Sequence, residues 1–398
     1  MQYYLAPMEG ITTYIYRNAY AKYFGHIDKY FTPFIASKKM NTREVRDILP
    51  ENNEGIEVVP QILTNRVDDF LAIAEKIASY GYQTVNLNLG CPSGTVTAKK
   101  RGAGFLSVPD ELDAFLYEIY EKCPLRISIK TRLGIYDLEE WDDLLDIYAK
   151  YPIDELIIHT RLQKEFYAGK THPEAYALAQ SRLCNNAQAN LPSAADQPHD
   201  AAACASAVCD TLRQTADTAS TARNSLPASV YDSPLRLCYN GDIISAESLH
   251  TLTLELSSLR QNAPDAIMLG RGIIRNPGLA GQLKIQENTA GTEACSLTAG
   301  VYDISVRNTS ICETGADVQR AGVKQLWLDF HNEILEGYRQ IMSGDLPILF
   351  KMKDIWTYMS QSFTSSENYL KKIRKAERIT DYMIAVNALF REQEIISE

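Results

Sequence analysis

The sequence alternates short apolar segments with longer amphipathic ones. The apolar segments are rich in β-branched and aromatic residues, whereas a segment such as 67–80 repeats apolar side chains at helical spacing, and a helix is also predicted at 109–122. Strands joined by helices in this way form parallel sheets, because each helix returns the chain to the start of the next strand. The pattern predicts a (β/α)8 TIM barrel, with a doubly wound open sheet as the alternative. Eight strands are predicted, at 3–6, 29–35, 58–63, 84–89, 126–130, 155–159, 235–239 and 266–270.

Polar residues stand at the carboxyl end of nearly every predicted strand. In a barrel these ends meet at one mouth and form one site, which favours the barrel over the open sheet. One of these residues is Cys91, which follows Gly90 at the end of a strand and precedes Pro92, a residue that stops regular structure. A thiol at a strand end on a rigid frame makes Cys91 the candidate reactive residue. The polar strand-end residues are Met8, Gln61, Asn88, Cys91, Lys130, His159, Asn240, Gly270 and Arg271.

Length and composition limit the class of protein. With 398 residues, 45% hydrophobic and 23% charged, the chain has room for one barrel and an appendage. No apolar run approaches the roughly 18 residues of a membrane helix and no secretion signal is visible, so a cytoplasmic location is expected. The protein is also expected to be a monomer. The eight cysteines lack paired spacing, which indicates neither a disulfide framework nor a metal site. The formal charge of −10 argues against indiscriminate nucleic-acid binding, although not against a local basic surface.

Two stretches interrupt the alternation. Residues 184–232 are rich in Ala, Ser and Thr, which predicts a low-complexity insertion, and the polar residues 285–320 are predicted to form an irregular insertion or linker. The predicted organisation is therefore a barrel at 1–284 and a helical domain at 321–398. Helices of this domain are predicted at 321–342, 349–362 and 367–394.

The last predicted helix carries a cationic stripe, at positions i, i+3, i+4 and i+7. Residues 371–378 contain five Lys or Arg against one Glu, whereas the whole tail from 321 contains ten basic and eleven acidic residues. Basicity confined to one face indicates either a solvated helix surface or contact with an anionic partner. The stripe consists of Lys371, Arg374, Lys375 and Arg378.

Taken in order, these motifs resemble the tRNA-dihydrouridine synthases, flavin enzymes that reduce a uridine in tRNA. Each motif alone is common, but their order and spacing over about 270 residues are specific. The matching segments are Ala6-Pro7-Met8-Glu9-Gly10-Ile11-Thr12, Gln61, Asn86-Leu87-Asn88-Leu89-Gly90-Cys91-Pro92, Arg101-Gly102-Ala103-Gly104, Lys130-Thr131-Arg132, His159-Thr160-Arg161, Tyr167-Ala168-Gly169, Asn240-Gly241-Asp242-Ile243 and Gly270-Arg271-Gly272.

The implied reaction is chemically consistent with Cys91. Saturating the C5–C6 bond of uracil requires a hydride at C6 and a proton at C5, hence a two-electron carrier and an acid. A thiol with a pKa of roughly 8.5 is mostly protonated at neutral pH and can be that acid. The resemblance implies this role for Cys91, with hydride from N5 of reduced FMN and with NADPH as the reductant. A nucleophilic Cys91 is the alternative.

The resemblance also implies a set of cofactor-binding residues. Lys130 would stabilise the anionic N1/O2 edge of the reduced flavin, and Gln61 would hydrogen-bond to the ring. His159 would contact the flavin or its phosphate, with a hydrogen-bonded core histidine as the alternative. The ring would lie against Pro7, Met8 and Glu9. The phosphate would bind at the turns after the last two strands, the usual phosphate site of such barrels, through Asn240, Gly241, Asp242, Gly270 and Arg271.

Substrate contacts follow from the same resemblance. Asn88 would read the uracil edge and Arg161 would contact the substrate backbone. Because a base that leaves its stack requires the tRNA body to be held elsewhere, the cationic stripe becomes a predicted tRNA-binding surface. Two other functions stay open, an FMN oxidoreductase of free pyrimidines similar to dihydroorotate or dihydropyrimidine dehydrogenases, and a tRNA-binding chaperone without catalysis. The basic helical tail favours an RNA substrate, and Cys91 together with Lys130 favours an enzyme.

Overall fold

The computed structural model describes residues 1–184, 235–290 and 316–396. The predicted insertion at 184–232 lies outside these residues except for Cys184, which ends a short π-helical turn. The strands are β1 (Gln2–Leu5), β2 (Lys29–Phe31), β3 (Val58–Val59), β4 (Gln61–Ile62), β5 (Thr84–Leu89), β6 (Arg126–Arg132), β7 (Glu155–His159), β8 (Arg236–Asn240) and β9 (Ala266–Leu269).

The helices alternate with the strands and then form the carboxyl-terminal region alone. They are α1 (Tyr14–Tyr23), α2 (Thr42–Ile48), α3 (Val67–Ala78), α4 (Gly94–Thr97), α5 (Pro109–Lys122), α6 (Glu140–Tyr148), α7 (Pro173–Ala179), α8 (Ala246–Ser258), α9 (Arg271–Arg275), α10 (Leu279–Ala290), α11 (Ala316–Ile341), α12 (Asp345–Met359), α13 (Glu367–Lys375) and α14 (Ile379–Glu392). None of these described helices is long and apolar enough to cross a membrane.

The chain divides into two compact units, of which the first comprises Met1–Ile62 and Cys238–Glu398. In this unit β1 lies between β2 and β9, β3 follows β2, β8 follows β9, and every pairing is parallel. The carboxyl-terminal helices pack here against α1, where Phe330 of α11 meets Tyr16 edge to face with ring centroids 5.4 Å apart. Gly337 permits this approach, because a Cβ there would lie 2.6 Å from Ile15.

The second unit, Leu63–Leu237, contains β5, β6 and β7 in parallel. The strands are largely buried, and helices α3 and α5 pack against each other through the edge-to-face pair Phe70 and Phe115. Proline at the first position of α5 and acidic residues in its first turn explain why this helix begins where the sequence predicts it.

The predicted fold class is confirmed. Parallel strands alternate with helices in an α/β fold of the TIM-barrel type, and an all-helical region follows them. One predicted strand, 58–63, is divided into β3 and β4, because Pro60 between them has no backbone N–H to donate to a neighbour. The predicted strand 29–35 ends at Phe31, and Ile35 keeps only an isolated bridge to Ile62.

Two predictions about the tail are wrong in detail. The predicted single helix at 367–394 is two helices, because the backbone turns extended at Ala376 and Arg378 between α13 and α14. Arg378 therefore does not share a helix with Lys371, Arg374 and Lys375. The predicted irregular segment 285–320 is helical at both ends, within α10 and α11, and its remainder lies outside the described residues. The predicted domain boundaries stay a prediction.

Candidate active site

The second unit brings together five of the predicted site residues at its strand ends. Asn88 on β5 pairs in register with Lys130 on β6, and Arg132 on β6 pairs with His159 on β7. Cys91 follows the end of β5 by two residues and is half-buried, as is Lys130. The fifth residue, Arg161, follows β7. Because parallel strands place their carboxyl ends along one edge, these functional groups share that edge.

The turn that carries Cys91 is fixed by hydrogen bonds to its backbone. The side-chain oxygen of Asn88 accepts hydrogen bonds from the amides of both Gly90 and Cys91, each at 3.0 Å. The Cys91 carbonyl accepts a hydrogen bond from the amide of Ala103, also at 3.0 Å. The position of the thiol is therefore set by residues on both sides of it in the sequence.

Gly102 explains why the motif Arg101-Gly102-Ala103-Gly104 contains glycine. Its φ of +55° lies in the left-handed region, and a Cβ there would approach the carbonyl oxygen of Cys91 to 2.8 Å and its Cβ to 2.9 Å. A side chain at this position would collide with the turn of the candidate catalytic residue. Gly102 of this motif thus allows its backbone to pack closely against the turn that carries the Cys91 thiol.

His159 and Arg161 are buried, with exposed fractions of 7% and 2%. A terminal nitrogen of Arg161 lies 3.4 Å from Nε2 of His159, and its Nε donates a hydrogen bond to the Gly169 carbonyl at 2.7 Å. The His159 ring stacks on the half-exposed ring of Tyr167, with centroids 6.1 Å apart. Arg161 thus lies within the frame of the site, and its predicted contact with the substrate backbone stays a prediction.

Arg132 belongs to a motif quoted above, yet sequence reasoning gave it no role. Its side chain is fully buried, and Nε donates a hydrogen bond to the Gly90 carbonyl at 2.9 Å. Burial lowers the pKa of this guanidinium to about 10, so it stays charged at neutral pH. In the sequence, Arg132 could be noticed through its place in the Lys130-Thr131-Arg132 motif, two positions after Lys130 and therefore on the same face of β6.

In the first unit, the segment predicted to back the flavin forms a tight turn after β1. The Thr12 hydroxyl accepts a hydrogen bond from the Met8 amide at 2.8 Å, and buried Arg17 donates to the Thr12 carbonyl at 2.9 Å. Pro7 and Met8 are half-buried, whereas exposed Glu9 forms an ion pair with Arg43 at 2.7 Å. Hydrogen bonds thus fix the main chain of the turn. The Glu9 carboxylate is directed towards Arg43 at the surface.

Gln61 is fully buried at the first residue of β4. Its backbone N–H donates a hydrogen bond to the Thr32 hydroxyl at 3.1 Å, and its backbone carbonyl accepts one from the Ile35 N–H at 2.8 Å. Pro60 has no N–H to donate within the sheet. The next residue, Gln61, has both of its backbone polar groups hydrogen-bonded.

The predicted phosphate-binding residues lie at the ends of the adjacent strands β8 and β9. Asn240 pairs in register with Met268 and donates from its side chain to the Met268 carbonyl at 2.9 Å. Arg271 forms an ion pair with Asp242 at 2.5 Å. Gly241 is required for packing, since a Cβ there would lie 2.6 Å from the Tyr239 ring.

The cationic stripe is exposed on the helical tail, although its four residues belong to two segments. Lys371, Arg374 and Lys375 lie on α13, whose apolar residue Ile373 is buried, and Arg378 precedes α14. Among the described residues, no group of three or more His, Cys, Asp or Glu is arranged to hold a metal ion.

Comparison with known proteins shows similarity to one family over the first part of the chain. Residues 4–182 match the family model described as dihydrouridine synthase. A "Probable tRNA-dihydrouridine synthase" of Staphylococcus epidermidis is 30% identical over 174 residues, 43% of this chain and 53% of that protein. A "Probable tRNA-dihydrouridine synthase 2" of Bacillus subtilis is 29% identical over the same length, again with 43% and 53% covered. The chain spans about half the length of the curated relatives it matches.

A solved structure, N-(5'-phosphoribosyl)anthranilate isomerase from Pyrococcus furiosus, is similar at 10% identity and a TM-score of 0.37, over 73% of this chain and 99% of that one. The family match is more informative, because it contains the Cys91 turn and the strand ends of Lys130 and His159. Residues 4–182 are thus similar to the dihydrouridine synthase family, and the curated relatives that carry this name match a segment of similar length.

Proposed function

We propose that the protein reduces specific uridines of tRNA to 5,6-dihydrouridine, with FMN as its cofactor and NADPH as the reductant. The observation that carries the proposal is the Cys91 turn, which holds one thiol at the edge where Lys130 lies two residues before the end of β6 and His159 ends β7. The family model, described as dihydrouridine synthase, covers this part of the chain, and the names of the similar proteins also support the proposal.

The residues of the first unit fit the chemistry of an FMN phosphate. Arg271 offers a cation and Asn240 an amide at adjacent strand ends. The backbone of Gly270 is open to close approach, because a Cβ there would meet only Ala6, at the ordinary contact distance of 3.6 Å. We assign the phosphate to Asn240, Gly241, Asp242, Gly270 and Arg271, and the ring to Pro7, Met8, Glu9 and Gln61.

In the second unit, Lys130 and His159 are the proposed partners of the flavin ring. Lys130 is half-buried at its strand end, where a cation stabilises negative charge on a neighbouring group better than in bulk water. FMN, when bound by these residues, would supply the hydride that uracil accepts at C6. Cys91 then delivers the proton to C5, and the resulting thiolate takes a proton from solvent before the next turnover.

Substrate recognition is assigned to residues of two kinds. Asn88 is hydrogen-bonded to the Cys91 amide and Arg161 follows β7 in the same unit, and we propose that both contact the target nucleotide. The exposed cations Lys371, Arg374, Lys375 and Arg378 are proposed to bind tRNA phosphates, because exposed Lys and Arg provide the charge that such contacts require. The cytoplasm, where tRNA is found, is the proposed compartment, and the protein is proposed to act as a monomer.

The test is reconstitution of the reaction with the full chain. Purified protein loaded with FMN is incubated with NADPH and an unmodified tRNA pool, and dihydrouridine is mapped by mass spectrometry of nuclease fragments. We expect a 2 Da mass increase at defined uridines and no reduction of free uracil or orotate. A flavin-loaded protein that reduces a free pyrimidine and leaves every tRNA unchanged would overturn the proposal.

A further inference from the structure

All four backbone polar groups of Gly90 and Cys91 have a protein partner. Asn88 accepts from both amides, Ala103 donates to the Cys91 carbonyl, and Arg132 donates to the Gly90 carbonyl. Two of these three partners, Asn88 and Ala103, lie within the turn or on the neighbouring Gly102–Ser107 segment. Arg132 differs from them, because it reaches the turn from another strand.

The Arg132 guanidinium connects the Cys91 turn to the loop after β7. Its Nη1 donates to the Leu162 carbonyl at 2.9 Å and its Nη2 to the Phe166 carbonyl at 2.7 Å, while Nε is bound to the Gly90 carbonyl. Three carbonyls from two separate segments are therefore held by one planar group. A lysine ammonium is a point charge on a flexible stem and cannot reproduce this fork.

The loop that Arg132 binds contains a residue with a strained backbone conformation. Phe166 has a φ of +50°, a left-handed conformation that costs a residue with a side chain about 1–3 kcal/mol. The bond from Nη2 to its carbonyl, made by a charged donor, stabilises this conformation. The next residue, Tyr167, places its ring 5.3 Å from the guanidinium carbon. The loop and the thiol turn thus share one buried cation.

We propose that Arg132 is a positioning residue for Cys91, which holds the thiol turn in register with the loop of Leu162, Phe166 and Tyr167. This inference rests on the proposed role of Cys91 as the proton donor. If the proton must travel along a defined path to C5, a shift of the turn by a fraction of an ångström lowers the rate without removing any reacting group.

The experiment measures the thiol itself as well as turnover. Arg132→Lys keeps the charge and loses the fork, and Arg132→Met removes both. The matched control is Arg126→Lys, at the other end of β6, where the guanidinium is exposed and pairs with Asp154 at 3.5 Å. Iodoacetamide labelling of the Cys91 peptide is followed by mass spectrometry from about pH 6 to 10, a range that spans an ordinary thiol pKa.

We expect Arg132→Lys to change the labelling rate of Cys91 at least fivefold and to lower kcat about 100-fold, with KM for tRNA within twofold of wild type. Arg132→Met should in addition move the labelling profile to higher pH, because a cation beside a thiolate stabilises it. The Arg126→Lys profile should coincide with that of wild type. Thermal unfolding identifies variants that fail to fold.

The outcomes separate the two proposals. Folded Arg132 variants that label like wild type overturn the positioning role, whatever the enzyme reduces. Altered labelling of Cys91 in a protein whose wild type reduces no tRNA supports the positioning role and overturns the proposed function instead. A fall in kcat with unaltered labelling also counts against positioning, since Arg132 would then act on the substrate.

Discussion

The Cys91 turn and the cationic stripe of the tail satisfy different physical demands. At the turn, every backbone polar group of Gly90 and Cys91 is bound, and Gly102 leaves no space for a side chain. Along the stripe, the side chains are exposed, and the backbone changes direction between α13 and α14. A proton transfer requires one atom at one place, whereas attraction of a polyanion requires only charge on one side.

Loss of the Cys91 thiol should lower the rate of reduction more than any other change. It tests whether the hydrogen-bonded turn serves to position a proton donor. Cys91→Ala should lower dihydrouridine formation by about 10²–10⁴-fold, the usual contribution of a general acid. Flavin content and tRNA affinity should not change, because the hydrogen bonds of Cys91 with Asn88 and Ala103 are made by its main-chain atoms and persist in alanine. Single-turnover assays measure the rate, with Cys123→Ala, a buried thiol of the same unit, as control. Wild-type turnover in Cys91→Ala would contradict the assignment.

The core of the helical tail should respond to pH through His331, which is buried against Trp356 and Tyr382. Burial lowers the pKa of His331 to about 4, while in the unfolded chain it is about 6.5. Below pH 6.5 the unfolded state binds more protons than the folded state, so stability should fall as pH decreases towards 4, by up to about 3 kcal/mol.

Urea unfolding measured between those pH values tests this slope. His331→Gln should flatten it, because the group that takes up the proton on unfolding is then absent. His250→Gln, on the exposed surface of α8, serves as the matched histidine control and should keep the slope. Equal slopes in wild type and His331→Gln would show that another group governs acid stability.

A methyl group at Gly102 should disturb the turn more than the same change at an open glycine. Gly102→Ala and Gly81→Ala both place alanine at a positive φ, +55° and +93°, but only Gly102 has Cys91 atoms within 3 Å of the new Cβ. Each change should cost about 1–2 kcal/mol of unfolding free energy for the backbone conformation. Gly102→Ala should also slow the reduction about tenfold, which Gly81→Ala should not.

Neutralising the stripe should have the smallest effect on chemistry. Replacing Lys371, Arg374, Lys375 and Arg378 with Ala should weaken tRNA binding roughly tenfold near 0.1 M salt and reduce its salt dependence, with kcat at saturating tRNA unchanged. The control removes four exposed cations elsewhere, Lys22, Arg66, Lys122 and Lys150. Equal losses in both variants would show that general charge, and not this surface, attracts tRNA.

The contrast between α13 and Arg378 makes this test sharper. Because Arg378 lies in the extended link and not on α13, its phosphate contact need not follow helical spacing. If the two segments bind one RNA backbone, Arg374→Ala and Arg378→Ala should each lower the salt slope by about 0.9 or less and should be additive. Additivity can be read from filter binding at several salt concentrations.

Much of the fold could be predicted because the period of apolar residues reflects burial directly. Helix α5 and strands β5 and β7 have the predicted bounds, since Pro109 begins the helix and each strand contains three buried apolar residues. The division at Pro60 and the break at 376–378 were missed. In both cases the apolar pattern continues across the break, and a pattern of side chains does not report the backbone dihedral angles.

The sequence alone determined the alternation of strands and helices and the position of Cys91 at the end of a strand, because hydrophobic periodicity and proline act over a few neighbouring residues. Only the tertiary structure decided what holds that cysteine. Arg132 lies 41 residues further along the chain, and its bonds to Gly90, Leu162 and Phe166 exist because parallel pairing brings β5, β6 and the end of β7 together. Contacts between such distant residues depend on packing, for which local sequence carries no signal.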